Sequence, residues 1–381
     1  MQQGQHIAFI DNPRIFLTIS VISLHLAVTY GGPGFWPYVE CTADIATFSV
    51  FAVHNAVSQS FVMSLFFLTA GYFTVASYER KGPRLFTRDR LLRLGIPLLC
   101  YDFVINPSIL FLLRIKLENF QGSYLNHLWD YLNHGFYVGS GPLWSVERLL
   151  LFTLCYLLYR LIFEDVTNRL SENTPPPSNR ITVLFAAIMG VLLFIKRIRL
   201  PILENVDFLT LSFPSLPLHH ICFFIIGIVS YRTKWLQRIT KSAAKFWLKI
   251  VAVFVLVCFP LLLIIGGALS GDTSQYFGGL RLQSLFYSIW DQFVGLGMII
   301  VLLYLFGTRF NRPSAITASM AKASYATYII HGFVIVGFTL TIRNIQLHAL
   351  PKYLLAAVVS IPLCFTLAHL IRKLPLVNRI L

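Results

Sequence analysis

Residues 14–31, RIFLTISVISLHLAVTYG, decide the class of this protein. Every residue between Arg14 and His25 is either aliphatic, aromatic or a small hydroxyl residue. A helix of roughly 18 such residues is long enough to cross the hydrocarbon core of a bilayer, which is about 30 Å thick. The stretch therefore predicts a membrane-spanning helix with a cation at one end and a histidine inside it.

Comparable apolar runs recur along the whole chain. Helices are predicted because open sheets cannot lie in lipid and the runs are too long for barrel strands. The predicted fold class is all-α: a polytopic membrane protein with about ten transmembrane helices, forming a single integral membrane domain over 1–381 without an appended soluble domain. The candidate spans are 14–31, 58–78, 91–113, 142–163, 181–197, 215–231, 247–269, 284–306, 323–342 and 351–371.

Composition and charge agree with this class. Hydrophobic residues make up 56% of the chain and charged residues 12%, against about 25% charged residues in soluble domains. Most of the 31 Lys and Arg residues fall in connections that the positive-inside rule assigns to the cytoplasm. Both termini are therefore predicted to be cytoplasmic. The net charge of +15 is not concentrated on one basic face, which argues against nucleic acid as a partner.

The first candidate site pairs Arg14 with His25. Eleven positions separate them, so on a helix they share one face and lie about 16 Å apart along the axis. A buried neutral imidazole can act as a general base. The alternative is a histidine whose ring is simply satisfied by a neighbouring helix.

The second candidate is the basic segment that follows the second span. Arg90 and Arg93 are three residues apart and thus neighbours on a helix face, with Arg84 and Arg88 just before them. Arginine binds phosphate oxygens in a bidentate manner, so the segment is a candidate phosphate clamp. The alternative is a topology anchor.

Two further segments carry polar residues inside apolar runs. In GPLWSVERLLLF (141–152), Trp144 lies near the outer interface and Glu147 is predicted about one turn deeper, as a substrate contact or half of an ion pair. In KASYATYIIHGFVIV (322–336), His331 lies inside a span with Tyr328 nearer its cytoplasmic end, and His331 alone is better explained as a packed polar residue than as a catalyst. The six cysteines show no CxxC or zinc-type spacing, so no metal is predicted.

Two other features remain open at this point. The stretch 46–60, ATFSVFAVHNAVSQS, is less apolar and carries His54 and Asn55, which suggests a segment at the outer surface before the second span. The basic residues Lys196, Arg197 and Arg199 fall on the extracytoplasmic side in the predicted topology, against the positive-inside rule. They either snorkel to the interface or form a rim that collects an anionic acceptor.

Five motifs in order resemble the acyltransferase type 3 family of integral membrane acyltransferases. Arg14 and His25 resemble its Arg-x10-His motif. FFLTAGYF (66–73), RDRLLRLGIP (88–97) and SYATYIIHG (324–332) are similar to three further motifs. GPLWSVERLL (141–150) resembles a fifth, with Ser145 where phenylalanine is usual. The AGYF and GPLW variants favour the branch that contains glucan biosynthesis protein C.

The resemblance implies an O-acyltransferase of the inner (plasma) membrane that uses acyl-CoA, either acetyl-CoA or succinyl-CoA, as donor. The acceptor would be a hydroxyl of an extracytoplasmic carbohydrate, such as a periplasmic glucan or exopolysaccharide, and glycan-synthesis proteins are candidate partners. His25 would act as general base, with Arg14 orienting it or binding a CoA phosphate. The four arginines of 84–93 would bind CoA, and Trp144, Glu147, Tyr328 and His331 would position the acceptor.

Two other functions fit some of these observations. A transporter or flippase for a glycan or lipid-linked substrate also has many spans with a few charges inside them. Such proteins often have two halves with broken helices at matching positions, and this chain shows no such repeat. The other alternative is a scaffold protein of a polysaccharide assembly complex that has lost its catalytic activity.

Overall fold

The computed structural model describes residues 2–133, 141–163, 166–200, 218–267, 274–311, 314–375 and 377–380. Within these ranges the regular structure is helical. The α-helices are α1 Gln2–Thr29, α2 Ile45–Arg90, α3 Ile96–Cys100, α4 Asn106–Leu117, α5 Tyr124–Asn133, α6 Trp144–Ile162, α7 Asn179–Arg199, α8 Leu218–Thr233, α9 Lys241–Val253, α10 Phe259–Ile265, α11 Leu282–Thr308, α12 Ala315–Thr341 and α13 Ala349–Ile371.

The apolar runs of the sequence fold as predicted, because every candidate span coincides with a helix or a joined series of helices where the structure describes it. Seven helical segments among the described residues are long and apolar enough to cross a membrane. One of them, Ile45–Leu117, is 73 residues long, several times the roughly 20 residues that one crossing needs. The protein is thus an all-helical membrane protein, while the count of ten spans and the orientation of the termini remain predictions.

Helix α2 differs from the predicted arrangement at both ends. It starts at Ile45, so the less apolar stretch 46–60 is helical and continuous with the second span. Asp44 caps it by accepting hydrogen bonds from the backbone N–H groups of Ala46 and Thr47 at 3.0 and 3.1 Å. The helix is interrupted at Gly82, whose φ of 69° is open to glycine but strained for other residues. The basic segment after this break is helical.

The described chain forms two compact units. The first comprises residues 1–13, 56–86 and 152–312. Inside it, Arg197 of α7 donates to Ser288 and forms an ion pair with Asp291 at 3.3 Å. The side chains of Arg197 and Asp291 are only 8% and 13% exposed. Arg197 therefore does not belong to an exposed basic rim, and its charge is balanced by an aspartate of α11.

Gly71, the glycine of the motif FFLTAGYF, lies in this unit where α2 approaches α8 closely. A Cβ added to Gly71 of α2 would lie 2.1 Å from the carbonyl oxygen of Phe224 in α8. A Cβ on Gly227 of α8 would lie 2.1 Å from the carbonyl oxygen of Leu68. The two helices touch backbone to backbone, which small residues permit in membrane proteins.

Replacing Gly71 by alanine is therefore expected to destabilise the protein clearly, because the added methyl group meets backbone atoms that cannot rotate away. Gly337→Ala is the matched control, since a Cβ there has nothing within 4 Å. The measurement is the thermal unfolding temperature of both purified variants in detergent. Equal unfolding temperatures for Gly71→Ala and Gly337→Ala would contradict the close approach of α2 and α8.

The second unit comprises residues 14–55, 87–151 and 313–381. Its apolar core joins α1, α12 and α13 through buried side chains that include Ile22, Leu26, Ile335 and Ala356. Segment 30–44, which connects α1 to α2, packs on this core through Trp36 and Cys41. This unit contains every predicted site residue except Arg84.

Candidate active site

Three aromatic rings form a stack in the second unit. The ring centroids of His25 and Trp36 are 4.1 Å apart, and those of His25 and His331 are 5.3 Å apart. The planes differ by 22° in both pairs. Tyr328 extends the stack, with its ring centroid 5.5 Å from that of His331. Helix α1, segment 30–44 and helix α12 thus each contribute to one group of rings, here named the histidine stack.

The histidine stack contains polar atoms without partners. The Nδ1 atom of His25, the Nε1 atom of Trp36 and the Nε2 atom of His331 are buried and make no hydrogen bond to any described residue. A buried polar atom left unsatisfied costs about 1–3 kcal/mol. Three such atoms lie together here, which makes the stack a candidate site for a polar ligand.

The proton on His331 can be placed from its surroundings. Its Nδ1 atom lies 2.5 Å from the carbonyl oxygen of Tyr328. A carbonyl oxygen only accepts, so Nδ1 carries the proton in the neutral ring and Nε2 presents a lone pair. The unpaired atom of His331 is thus an acceptor, whereas the indole N–H of Trp36 is a donor.

Ser145, which stands where the family motif usually has phenylalanine, has a hydrogen-bond partner in the histidine stack. Its Oγ lies 2.9 Å from the hydroxyl oxygen of Tyr328, and the same hydroxyl bonds the carbonyl oxygen of Pro142. Since that carbonyl only accepts, Tyr328 donates to Pro142 and Ser145 donates to Tyr328. A phenylalanine at 145 could not make this bond, so Ser145 fixes the tyrosine at the edge of the histidine stack.

Glu147 and Trp144 flank Ser145 on the first turn of α6. The carboxylates of Glu147 and Asp102 lie within electrostatic range of each other. The backbone of Asp102 accepts a hydrogen bond of 3.1 Å from the hydroxyl of Tyr131. Two acidic groups therefore lie in the same unit as the histidine stack, and sequence reasoning gave Asp102 no role.

Arg14, about 16 Å before His25 along α1, belongs to a group of cations. Arg14 is exposed on this helix, and its charge and that of Arg93 both act on Arg90. The hydroxyl of Tyr325 donates to the carbonyl oxygen of Arg93 at 2.8 Å. Tyr325 precedes His331 by six residues on α12, which is about 9 Å along the helix axis. Helices α1 and α12 thus both run from the arginine cluster (Arg14, Arg90 and Arg93) to the histidine stack.

Arg84 and Arg88 are exposed on α2. Neither has a described contact with the histidine stack. Across the part of the chain that the structure describes, no group of three or more His, Cys, Asp or Glu side chains could hold a metal ion. The side chains described at this site carry imidazole, indole, hydroxyl and carboxyl groups.

Sequence reasoning named His25, His331 and Tyr328 but not Trp36. The tryptophan lies in the aromatic segment GGPGFWPYVE (31–40), between the first two predicted spans. Tryptophan near a span end usually marks the membrane interface, so its type gave no sign of contact with His25. The proline and glycine residues around it, which turn segment 30–44 back onto α1, were the available signal.

Fold and site together define an integral membrane protein with a buried histidine centre. Comparison with known proteins specifies the class further. The sequence profile of the acyltransferase domain matches residues 7–369, and the chain belongs to this acyltransferase family, the type 3 family. The family predicted from the five motifs is confirmed.

Relatives with curated names carry the name of the predicted branch. The chain is 24% identical over 337 residues to glucans biosynthesis protein C of Escherichia coli strain K12, covering 85% of this chain and 80% of the relative. The proteins of the same name from Escherichia coli O157:H7 and Shigella dysenteriae serotype 1 show the same identity and coverage. No solved structure matches the chain.

Proposed function

We propose that this protein is a membrane O-acyltransferase that moves an acetyl or succinyl group from acyl-CoA to a hydroxyl of a carbohydrate. Membership of the acyltransferase family supports the reaction type. The name of the relatives, glucans biosynthesis protein C, supports a glucan or related polysaccharide as acceptor. The observation that carries the proposal is the set of three unpaired polar atoms in the histidine stack.

These three atoms match the needs of acyl transfer. A thioester presents a carbonyl oxygen, which requires a donor, and the attacking hydroxyl requires an acceptor. The indole N–H of Trp36 is a donor and Nε2 of His331 is an acceptor, while Nδ1 of His25 can serve as either. We assign His25 as the general base that takes the hydroxyl proton and His331 as the group that orients the hydroxyl.

The donor is assigned to the arginine cluster. The positive charges of Arg14 and Arg93 and the negative charge of Asp89 all act on Arg90, so the cluster is positive overall and attracts a further anion. The phosphates of CoA provide such an anion. Arg14 precedes His25 by eleven residues on one helix, or about 16 Å, so phosphates held at Arg14 leave the pantetheine arm free to reach the histidine stack. In this scheme the donor enters from the cytoplasm and the carbohydrate from the opposite side.

Loss of Arg90 and Arg93 is expected to weaken the binding of acyl-CoA. An Arg90→Ala, Arg93→Ala variant removes hydrogen bonds to charged groups worth about 1.5–3 kcal/mol each, so the Kd for acyl-CoA is expected to rise at least about tenfold. Calorimetric titration of the purified protein with acetyl-CoA and succinyl-CoA measures it. The preferred thioester also identifies the acyl group.

Arg309→Ala is the matched control, since Arg309 is an exposed arginine at the end of α11 outside the arginine cluster. Its Kd is expected to equal that of the wild type. Equal weakening in the control would mean that general charge, not the arginine cluster, attracts CoA. Failure of well-folded wild-type protein to bind either thioester would refute the proposed donor.

A further inference from the structure

A second polar cluster lies in the same unit as the histidine stack. It consists of Ser23 on α1, His54 and Asn55 on α2, and Tyr353 on α13. Ser23 precedes His25 by two residues, so their side chains leave α1 about 200° apart. The cluster is therefore on the opposite side of α1 from the histidine stack, and the proposed reaction does not use it.

The proton positions in this cluster follow from one backbone carbonyl. The side-chain nitrogen Nδ2 of Asn55 donates to the carbonyl oxygen of Pro33 at 2.9 Å. That contact orients the amide, so the atom 2.8 Å from Nδ1 of His54 is the Asn55 oxygen Oδ1. Because Oδ1 can only accept, Nδ1 of His54 carries the proton of the neutral ring.

The remaining bonds follow in turn. Nε2 of His54 then presents a lone pair, and it lies 3.0 Å from Oγ of Ser23. The serine hydroxyl donates to it. The hydroxyl of Tyr353, 2.7 Å from the same Oγ, must then be the donor in its own contact with Ser23. Every proton in the cluster has one position.

We propose that Ser23 is a nucleophile that carries an acyl group as an ester, with His54 as its base and Asn55 holding the ring of His54. A hydroxyl bonded to an imidazole whose second nitrogen is held by a third group is the arrangement that activates serine for attack on a carbonyl. The donated proton of Tyr353 stabilises negative charge on Oγ. The identity of the acyl donor rests on the proposed function.

The reaction balances without any further reactant. Oγ of Ser23 bonds to the carbonyl carbon of the thioester while its proton passes to Nε2 of His54. The carbon–sulfur bond breaks, and the sulfur leaves as a thiol with that proton. An acceptor hydroxyl on this side of α1 then loses its proton to His54 and bonds the same carbon, and Ser23 leaves and recovers the proton. This route runs beside direct transfer at the histidine stack, for which His25 is the base.

The competing explanation is a hydrogen-bond network that only ties α1, α2 and α13 together. Reactivity separates the two, because only an activated serine reacts rapidly with a fluorophosphonate or an activated ester. Ser23, His54 and Tyr353 are all partly exposed rather than buried.

The test treats the purified full chain in detergent with a fluorophosphonate probe and, separately, with p-nitrophenyl acetate. The modified residue is identified by mass spectrometry of peptides. Label is expected on Ser23, absent in Ser23→Ala, and formed at least about 100-fold more slowly in His54→Gln. The control is Ser20→Ala, whose hydroxyl lies one turn earlier on α1 and donates to the carbonyl oxygen of Phe16; its labelling is expected to match the wild type.

The outcomes separate this proposal from the proposed function. Folded wild-type protein that takes no label on Ser23 overturns the nucleophile. Label on Ser23 together with no acyl uptake from acetyl-CoA or succinyl-CoA supports the nucleophile and refutes the CoA donor. Transfer from acyl-CoA by the wild-type protein with no acyl group on Ser23 at any time in the reaction overturns the ester intermediate and leaves the proposed function standing. If Ser23→Ala does not fold, His54→Gln decides, since it leaves the serine in place.

Discussion

Replacing His25 by alanine is expected to lower the rate of acyl transfer at least about 100-fold, the usual contribution of a general base. The affinity for acyl-CoA is expected to stay at the wild-type value, because Arg14 of the arginine cluster lies about 16 Å from His25 along α1. Transfer of a radiolabelled acyl group to a glucan acceptor measures the rate, and calorimetry measures the affinity. A His25→Ala variant with the wild-type rate would remove His25 from the chemistry.

His331→Asn tests the second histidine of the stack. The asparagine amide can keep the hydrogen bond to the carbonyl oxygen of Tyr328, but it has no lone pair in place of Nε2. A loss of transfer with an unchanged unfolding temperature would identify the lone pair as the functional feature. His369→Ala is the control, because His369 is exposed and its ring contacts only Ser319 among the described hydrogen bonds.

Replacing Lys352 by alanine is expected to have the largest effect on stability. Lys352 forms an ion pair with Glu40, and the two side chains are only 5% and 9% exposed. Removing one partner of a buried pair leaves an uncompensated charge, at a cost of about 3–5 kcal/mol in the free energy of unfolding. Thermal unfolding in detergent is the measurement.

The surroundings of Glu40 support this size of effect. Burial, together with the charge of Glu40, raises the pKa of Tyr38 to about 12. The phenol therefore stays protonated at neutral pH and donates to Glu40 at 3.4 Å. A double variant, Lys352→Met with Glu40→Gln, removes both charges and is expected to recover most of the lost stability. If Lys352→Ala unfolds at the same temperature as the wild type, the ion pair contributes little to stability.

The helices could be read from the sequence because lipid imposes one requirement, a long apolar run, that each span meets on its own. The start of α2 could not be predicted from the sequence. His54 and Asn55 look like surface residues by composition, but their polar atoms are satisfied by Ser23 and Pro33, which are distant along the chain. Hydropathy reports local character and contains no information about such partners.

For the candidate site, the individual residues could be predicted from the sequence but their contacts could not. Charge inside an apolar run singled out Arg14, His25 and His331 one at a time. Nothing in the sequence indicated that the rings of His25 and His331, on the first and twelfth helices, lie 5.3 Å apart. That contact depends on how the helices pack against each other. The hydrophobic pattern of a single sequence identifies helices but not their neighbours.

Segment 30–44 has a consequence for how this protein can vary. Pro33 orients Asn55, Trp36 covers His25, and Glu40 pairs with Lys352. Connections between helices ordinarily accept insertions and deletions, but one residue added here would displace all three contacts together. Among related chains we expect the length of this segment to be constant, with substitutions confined to outward side chains such as the exposed Phe35 and Val39.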